Sequence, residues 1–423
     1  MKNLDKRLIR MIKNSKGQYI AIITVLLVGI MIYTALSIAS TNLVSTLDNY
    51  YTETNFADIF VQLLRIHEGA IEKLEADNSI LQAQGRHVIE APVITAQEDE
   101  RVMVRIISVP NKESLINDFY LIEGKLIDNS SEKIMVLEQF ANARNINVGD
   151  TMKYQHGGRQ YQSEVAAIVA SPEFVYLMEN EQSFLPTPEK YGVIYASDSF
   201  ASDNLGLGSN YNELLLNLKE GVNAKQFKDI LEDRLDSFGV MRIFTQENQL
   251  SNRMVHEEIN GLEQSSQAVP FIFLGVAAVI LAVMLKRMVK TDRIAIGILK
   301  AMGYSSKDIV LHYVKYALSI AVFGGVIGLV LGFSISGLMT EMYVEFFNIP
   351  LLSLAIYPRY IFLSLFLSSF FCVVSGLWGA KDILNISPAE SMRAPVPKDG
   401  KRILLEKWKN LWKKNHIQLE NCY

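Results

Sequence analysis

The sequence is poor in cysteine and in charge. Only Cys372 and Cys422 occur among 423 residues, too few for a disulfide framework, and neither lies between residues 41 and 266. Charged residues make up 20% and the net charge is −4, which excludes a broadly basic nucleic-acid binder. No GxxxxGK[ST] is present, so the chain has no P-loop of its own, and no GxSxG nucleophile elbow occurs. Gly206-Leu-Gly208 lacks the third glycine and the strand-to-helix context of a dinucleotide site. His256-Glu-Glu-Ile-Asn260 opens like a zinc-protease helix but ends in Asn260, so the second imidazole is missing. His67, His87 and His156 are scattered without ligand spacing. The pair Glu257/Glu258 has no catalytic assignment. The run Glu98-Asp99-Glu100 reads as a charged hairpin turn between two strand candidates.

What the chain does have is apolar length. Hydrophobic residues reach 49%, and mean hydropathy is +0.16. Four stretches carry the excess. Residues 19–39 contain no charge; at about 1.5 Å per residue a helix there matches the ~30 Å hydrocarbon core of a bilayer. This run exceeds a signal-peptide core and follows a long polar-rich segment, so it reads as an uncleaved span. The second span is 268–285, with Pro270 expected in its first turn, where no backbone donor is lost. The third is 309–340 and the fourth 358–380.

Charge then fixes orientation. Residues 1–18 hold six Lys/Arg and one acid, residues 286–308 six and two, and residues 381–423 nine and five. The short loop 341–359 holds Glu341 and Glu345 against Arg359 alone. Basic segments stay cytoplasmic, so both termini and the 286–308 loop are expected inside, and residues 41–266 outside. The fold class that follows is a membrane α-helical protein of four transmembrane helices with a large α+β extracytoplasmic domain.

That domain is too long to be a loop. Strand candidates are Ile59–Leu63, His87–Thr95, Arg101–Val109, Lys133–Leu137, Tyr161–Val169, Gly192–Tyr195 and Glu213–Leu218, with helices expected at Glu68–Ala76, Glu138–Arg144 and Ala224–Phe238. Asn145 to Asp150 reads as a helix end turning into a strand. Residues 245–267 read as a helical stalk leading into the second span, with 41–51 as its partner beyond the first span.

Within the spans, Gly324, Gly328 and Gly332 recur every four residues, and small residues so spaced form a packing face for another helix or subunit. The fourth span adds Ser375, Gly376, Gly379 and Ala380. Lys315 and His312 stand at the inner edge of the third, where a lysine can snorkel, and no carboxylate inside a span offers an ion relay.

The most informative stretch is 291–309, TDRIAIGILKAMGYSSKDI. Ile294, Ile298 and Met302 share one helical face, with Ile309 beyond the break; Gly303 ends the helix, and Ser305 with Asp308 can cap the next. The run Arg293–Gly303, followed by a glycine-rich apolar span, resembles the FtsX-like permease family of ABC transporters, as does Ile386-Ser-Pro-Ala-Glu-Ser-Met-Arg393 after the fourth span. The order of one span, a large outside domain and three spans resembles the MacB-type subgroup. So do Ile122-Glu-Gly124, Ile134–Leu137 and Val148-Gly-Asp150, which are similar to that subgroup's extracytoplasmic core. A departure is Ala295, where the family often carries an acid or amide.

The resemblance implies a coupling helix contributed by Arg293, Ile294, Ile296, Gly297, Leu299, Lys300, Ala301 and Gly303, docking on a separate cytoplasmic ABC ATPase. It also implies mechanotransmission, with ATP bound by that partner and no cofactor or enzyme activity on this chain. The location implied is the bacterial plasma membrane, with a second permease unit as a further partner, either a homodimer or a paired half. Lys401–Leu411 resembles the linker that leads to a second four-span unit in larger permeases. That tail could lie in membrane lipid through Ile403, Leu404, Trp408 and Leu411. Two other classes stay open on the residues alone: a receptor whose outside domain binds a ligand or partner protein, and a membrane-anchored outside enzyme. The missing catalytic constellation disfavours the enzyme.

Overall fold

The computed structural model describes residues 2–95, 100–129, 131–182, 185–385 and 387. The 386–393 motif (Ser387 apart), the 401–411 segment, Cys422, and Glu98 and Asp99 lie outside the described residues. The helices are α1 (Lys2–Asn14), α2 (Lys16–Glu53), α3 (Glu68–Glu75), α4 (Glu138–Arg144), α5 (Ala224–Leu235), α6 (Leu250–Thr291), α7 (Arg293–Ala301), α8 (Ser306–Phe346) and α9 (Pro358–Ala380). The strands are β1 (Ile59–His67), β2 (Ile80–Arg86), β3 (Val88–Pro92), β4 (Met103–Val109), β5 (Tyr120–Gly124), β6 (Ile134–Leu137), β7 (Thr151–His156), β8 (Arg159–Ala170), β9 (Tyr191–Ser197), β10 (Asn210–Leu218) and β11 (Val240–Thr245). The chain forms two compact units, one from residues 1–19, 278–319 and 372–423, the other from 20–277 and 320–371.

Among the described residues, four helices are long and apolar enough to cross a membrane: α2, α6, α8 and the one beginning at Pro358. Three of them leave rows of apolar side chains exposed: Phe271, Ile272 and Val276 on α6, Val322, Phe323 and Val326 on α8, and Phe362, Phe366 and Phe370 on α9. Such rows are what a spanning helix turns to lipid.

The larger unit holds both sheets. In the first, antiparallel strands run in the order β11-β1-β10-β2. The period-2 alternation of strands splits its residues between two cores. Val61, Leu63, Leu214 and Leu216 pack under α3 and α5 with Ile71, Phe227 and Leu231. Phe60 and Leu215 turn the other way and join Leu43, Leu47 and Tyr50 of α2 with Val255, Ile259 and Leu262 of α6. The Tyr51 hydroxyl donates to Asn252 Oδ1 at 2.9 Å in the same region. The second sheet is mixed, in the order β3-β4-β9-β6-β8-β5, with β7 pairing β8.

Two of the three short segments behind the family resemblance sit at demanding backbone positions. Gly124 closes β5 at φ +88°, and a Cβ there would stand 2.2 Å from Ala166 O. Gly149 has φ +91°, after Asn145 ends α4 at φ +53°. Both conformations favour residues that tolerate the left-handed region. Residues 134–137 form β6, with all four side chains buried.

Three expectations change. The strands β2, β5 and β11 add to the seven candidates, while β7 is the strand into which residues 145–150 turn. Residues 224–238 form α5 and then a 3₁₀ turn over Asp236–Phe238, which Gly239 ends at φ +71°. Pro270 is not in a first turn: stalk and span are one unbroken helix, so Pro270 lies inside α6. It lacks the N–H that would reach the Ser266 carbonyl, a gap membrane helices tolerate.

Candidate functional site: a short helix between two spans

In the smaller unit, α6 runs to Thr291, and Asp292 begins α7. The Asp292 carboxylate accepts from Arg7 Nη2 at 2.9 Å and from the Tyr313 hydroxyl at 3.1 Å. One acid thereby ties α1, the start of α7 and the base of α8. A negative group at a helix N-terminus is also favoured by the helix dipole.

The far end of α7 is closed with equal definition. Tyr304 N–H donates to Leu299 O at 3.1 Å and Gly303 N–H to Lys300 O at 3.1 Å, the paired bonds of a Schellman ending. Gly303 takes φ +94°, which a side chain resists. Two residues on, Ser305 and Asp308 bond reciprocally: Ser305 N–H donates to Asp308 Oδ2 at 3.2 Å and Asp308 N–H to Ser305 Oγ at 3.2 Å. This capping box starts α8.

Between these ends α7 has two faces. Ile296 and Gly297 are buried, Leu299 is half-buried, and Lys300 Nζ donates to Ile383 O at 2.7 Å. Burial holds the Lys300 ammonium below its usual pKa. On the other face Ile294, Ile298 and Met302 are 60%, 44% and 63% exposed, joined by exposed Ala301. Arg293 is half-buried and Gly303 exposed at the bend. Of the eight residues implied as a contact surface, Ile296 and Gly297 instead seat the helix on its own chain. Ile309 is buried and does not extend the apolar row. Sequence patterns do not reveal Arg7, Asp292 and Tyr313 as a set, because Arg7 and Asp292 lie 285 residues apart and no local pattern joins them.

Close packing supports this seat. A Cβ at Gly379 of α9 would lie 2.8 Å from Ala282 O, and one at Gly376 would lie 3.1 Å from Ala317 Cβ. In the larger unit, Gly324, Gly328 and Gly332 all face α2. Added Cβ atoms would stand 2.7 Å from Leu26 Cδ2, 2.8 Å from Leu27 O and 2.7 Å from Met31 O. The stripe brings α8 against α2 of the same chain.

The sheets offer a second feature that sequence patterns did not show. Arg86 of β2, 4% exposed, forms a bidentate pair with Glu173 at 2.5 and 2.6 Å and donates from Nε to Glu213 of β10 at 2.7 Å. Burial alone would lower the arginine's pKa, but the two carboxylates raise it. The trio lies at a cavity of about 590 Å³ also lined by Phe60, Phe244 and Arg105. His256 Nδ1 lies 3.0 Å from Asn252 O one turn back, a bond within its own helix.

Four membrane-length helices among the described residues, with a capped helix between the second and third in chain order, define a polytopic integral membrane protein. Residues 268–388 match the family model described as FtsX-like permease C-terminal. Among solved structures the chain is similar to the periplasmic region of MacB from Actinobacillus actinomycetemcomitans. The identity is 11%, with 51% of this chain and 98% of that one covered at a TM-score of 0.32. It is also similar to the extracellular domain of the noncanonic ABC-type transporter YknZ from Gram-positive bacteria. There too the identity is 11%, with 44% and 99% covered at a TM-score of 0.29. Among curated proteins, none matches the chain.

Proposed function

We propose that this chain is the permease subunit of an ABC transporter, and that α7 is the helix on which a separate cytoplasmic ATPase docks. The observation that carries the reading is the exposed apolar row Ile294, Ile298 and Met302, on a helix fixed at both ends and lying within the segment that matches the FtsX-like permease model. An apolar stripe on a pre-ordered helix suits insertion into a groove, because the ordering entropy is already spent. On this reading the termini and α7 are cytoplasmic, the sheet domain lies outside the bacterial plasma membrane, and ATP is held by the partner. A second permease unit, identical or paired, completes the assembly. ATP-driven movement of the partner is carried by the spans to the outside domain, for export or for mechanical control.

The test is co-purification with a co-expressed ABC ATPase from the same cell that the unaltered chain retains. Ile298→Asp together with Met302→Asp is expected to lower retained ATPase at least tenfold, because charges enter an apolar contact. The same substitutions at exposed Leu64 and Leu81, on the sheet domain, leave retention unchanged. Full retention by the α7 variant rejects the docking role.

A further inference from the structure

The amphipathic α1 carries two chemically distinct faces. Leu4, Arg7, Leu8, Met11 and Ile12 turn toward the protein: Met11 is buried with its sulfur 3.2 Å from His312 Nε2, and Arg7 pairs with Asp292. Just past its end, the Ser15 and Tyr316 hydroxyls lie 2.9 Å apart. Opposite, Lys6, Ile9, Arg10 and Lys13 are exposed, and Lys16 continues the row at the start of α2. Spacings of three and four residues make these one stripe. None of its four cations forms an ion pair with a described residue. The one acid of α1, Asp5, is engaged elsewhere, its Oδ1 lying 3.1 Å from Lys315 Nζ.

We propose that this stripe binds anionic phospholipid headgroups, making α1 a lipid-contacting strap. Two observations select lipid over an acidic protein surface. Lys16 stands three residues before the charge-free run 19–39, which places the stripe at headgroup depth. Ile9, 56% exposed, sits among the cations and can enter the acyl boundary while they reach phosphate. Basic clusters beside a span are drawn to anionic leaflets in this way. Because the inner face of α1 is fastened to Asp292, the lipid meets an ordered element.

The experiment uses the full chain in nanodiscs of phosphatidylcholine alone or of equal parts phosphatidylcholine and phosphatidylglycerol. Ile9→Cys, in a Cys422→Ser background where Cys372 is buried, carries an environment-sensitive fluorophore. A blue shift is expected only with phosphatidylglycerol, weakening as salt rises. Each of Lys6→Glu, Arg10→Glu and Lys13→Glu lowers the preference for the anionic lipid by roughly fivefold or more. Thermal melting in neutral nanodiscs checks that the variants fold; where they do not, Lys→Gln and Arg→Gln versions replace them. Equal emission in both lipids, or a shift that survives Lys6→Glu, Arg10→Glu and Lys13→Glu combined in one chain, overturns the proposal. So does a shift that arises only when an ATPase subunit is added, which assigns the stripe to a protein partner.

Discussion

At the residue scale, the sheet domain concentrates its electrostatic risk at Arg86. A buried arginine shared by two carboxylates is satisfied only while all three remain. Arg86→Met leaves Glu173 and Glu213 charged and unpaired, and is expected to destabilise the domain by about 3–5 kcal/mol. Adding Glu173→Leu and Glu213→Leu recovers most of that loss, because a buried ion network replaced by apolar groups is often neutral. Denaturant unfolding of the full chain distinguishes the two. A single variant as stable as the parent would show that water reaches the trio. His87 gives a pH dependence. Burial holds its imidazole below the ordinary 6.5, with Asp198 opposing in part. The unfolded chain therefore takes up a proton first as pH falls. Stability is fully present above about pH 6.5 and declines below it, until the folded value is passed. His87→Gln is expected to flatten this decline in melts between neutral pH and about pH 5.

At the element scale, α8 contains its own control. Gly328→Ala and Gly337→Ala make the same change in helix propensity. A Cβ at Gly328 meets Leu27 O at 2.8 Å and Ile30 Cβ at 3.1 Å, whereas Gly337 has nothing within 4 Å. Gly328→Ala is expected to lower stability in detergent by about 1–3 kcal/mol, and Gly337→Ala to leave it equal or slightly higher. Equal effects would mean that α2 and α8 separate without strain. The glycine stripe was legible in the sequence because its period is local; its partner was not, since 324–332 meet 26–31 only through the fold. Strands show the same division. β6, β9 and β10 announce themselves as apolar runs with buried partners on both faces. β2 reads ILQAQGR and β11 reads VMRIFT, with polar residues that the pairing alone explains. α1 was legible as charge but not as a helix with an inner face, because Met11 and Arg7 find their partners about 300 and 285 residues away.

At the scale of the whole molecule, the functional reading depends on sidedness. Three basic segments, 1–18, 286–308 and 381–423, alternate with spans, and a bilayer retains such segments on the cytoplasmic side. This retention is electrostatic and independent of any family likeness, so labelling tests it alone. Single cysteines at two exposed positions separate the outcomes: Leu64→Cys on β1, 70% exposed, and Ile298→Cys on α7, 44% exposed. In a Cys422→Ser background, a membrane-impermeant maleimide is expected to label Leu64→Cys in intact cells. Ile298→Cys should label only after the membrane is opened. Cys372 stays silent in both because it is buried. Labelling of both sites from outside would put α7 beyond the reach of any cytoplasmic ATPase and end the coupling role. Labelling of both only after opening would place the sheet domain in the cytoplasm and leave the basic loops without their topological meaning. Addition of the ATPase refines the first result. If α7 is covered, Ile298→Cys loses reactivity in opened membranes while Leu64→Cys keeps it. That contrast ties the helix to its partner without relying on transport, whose substrate need not be known.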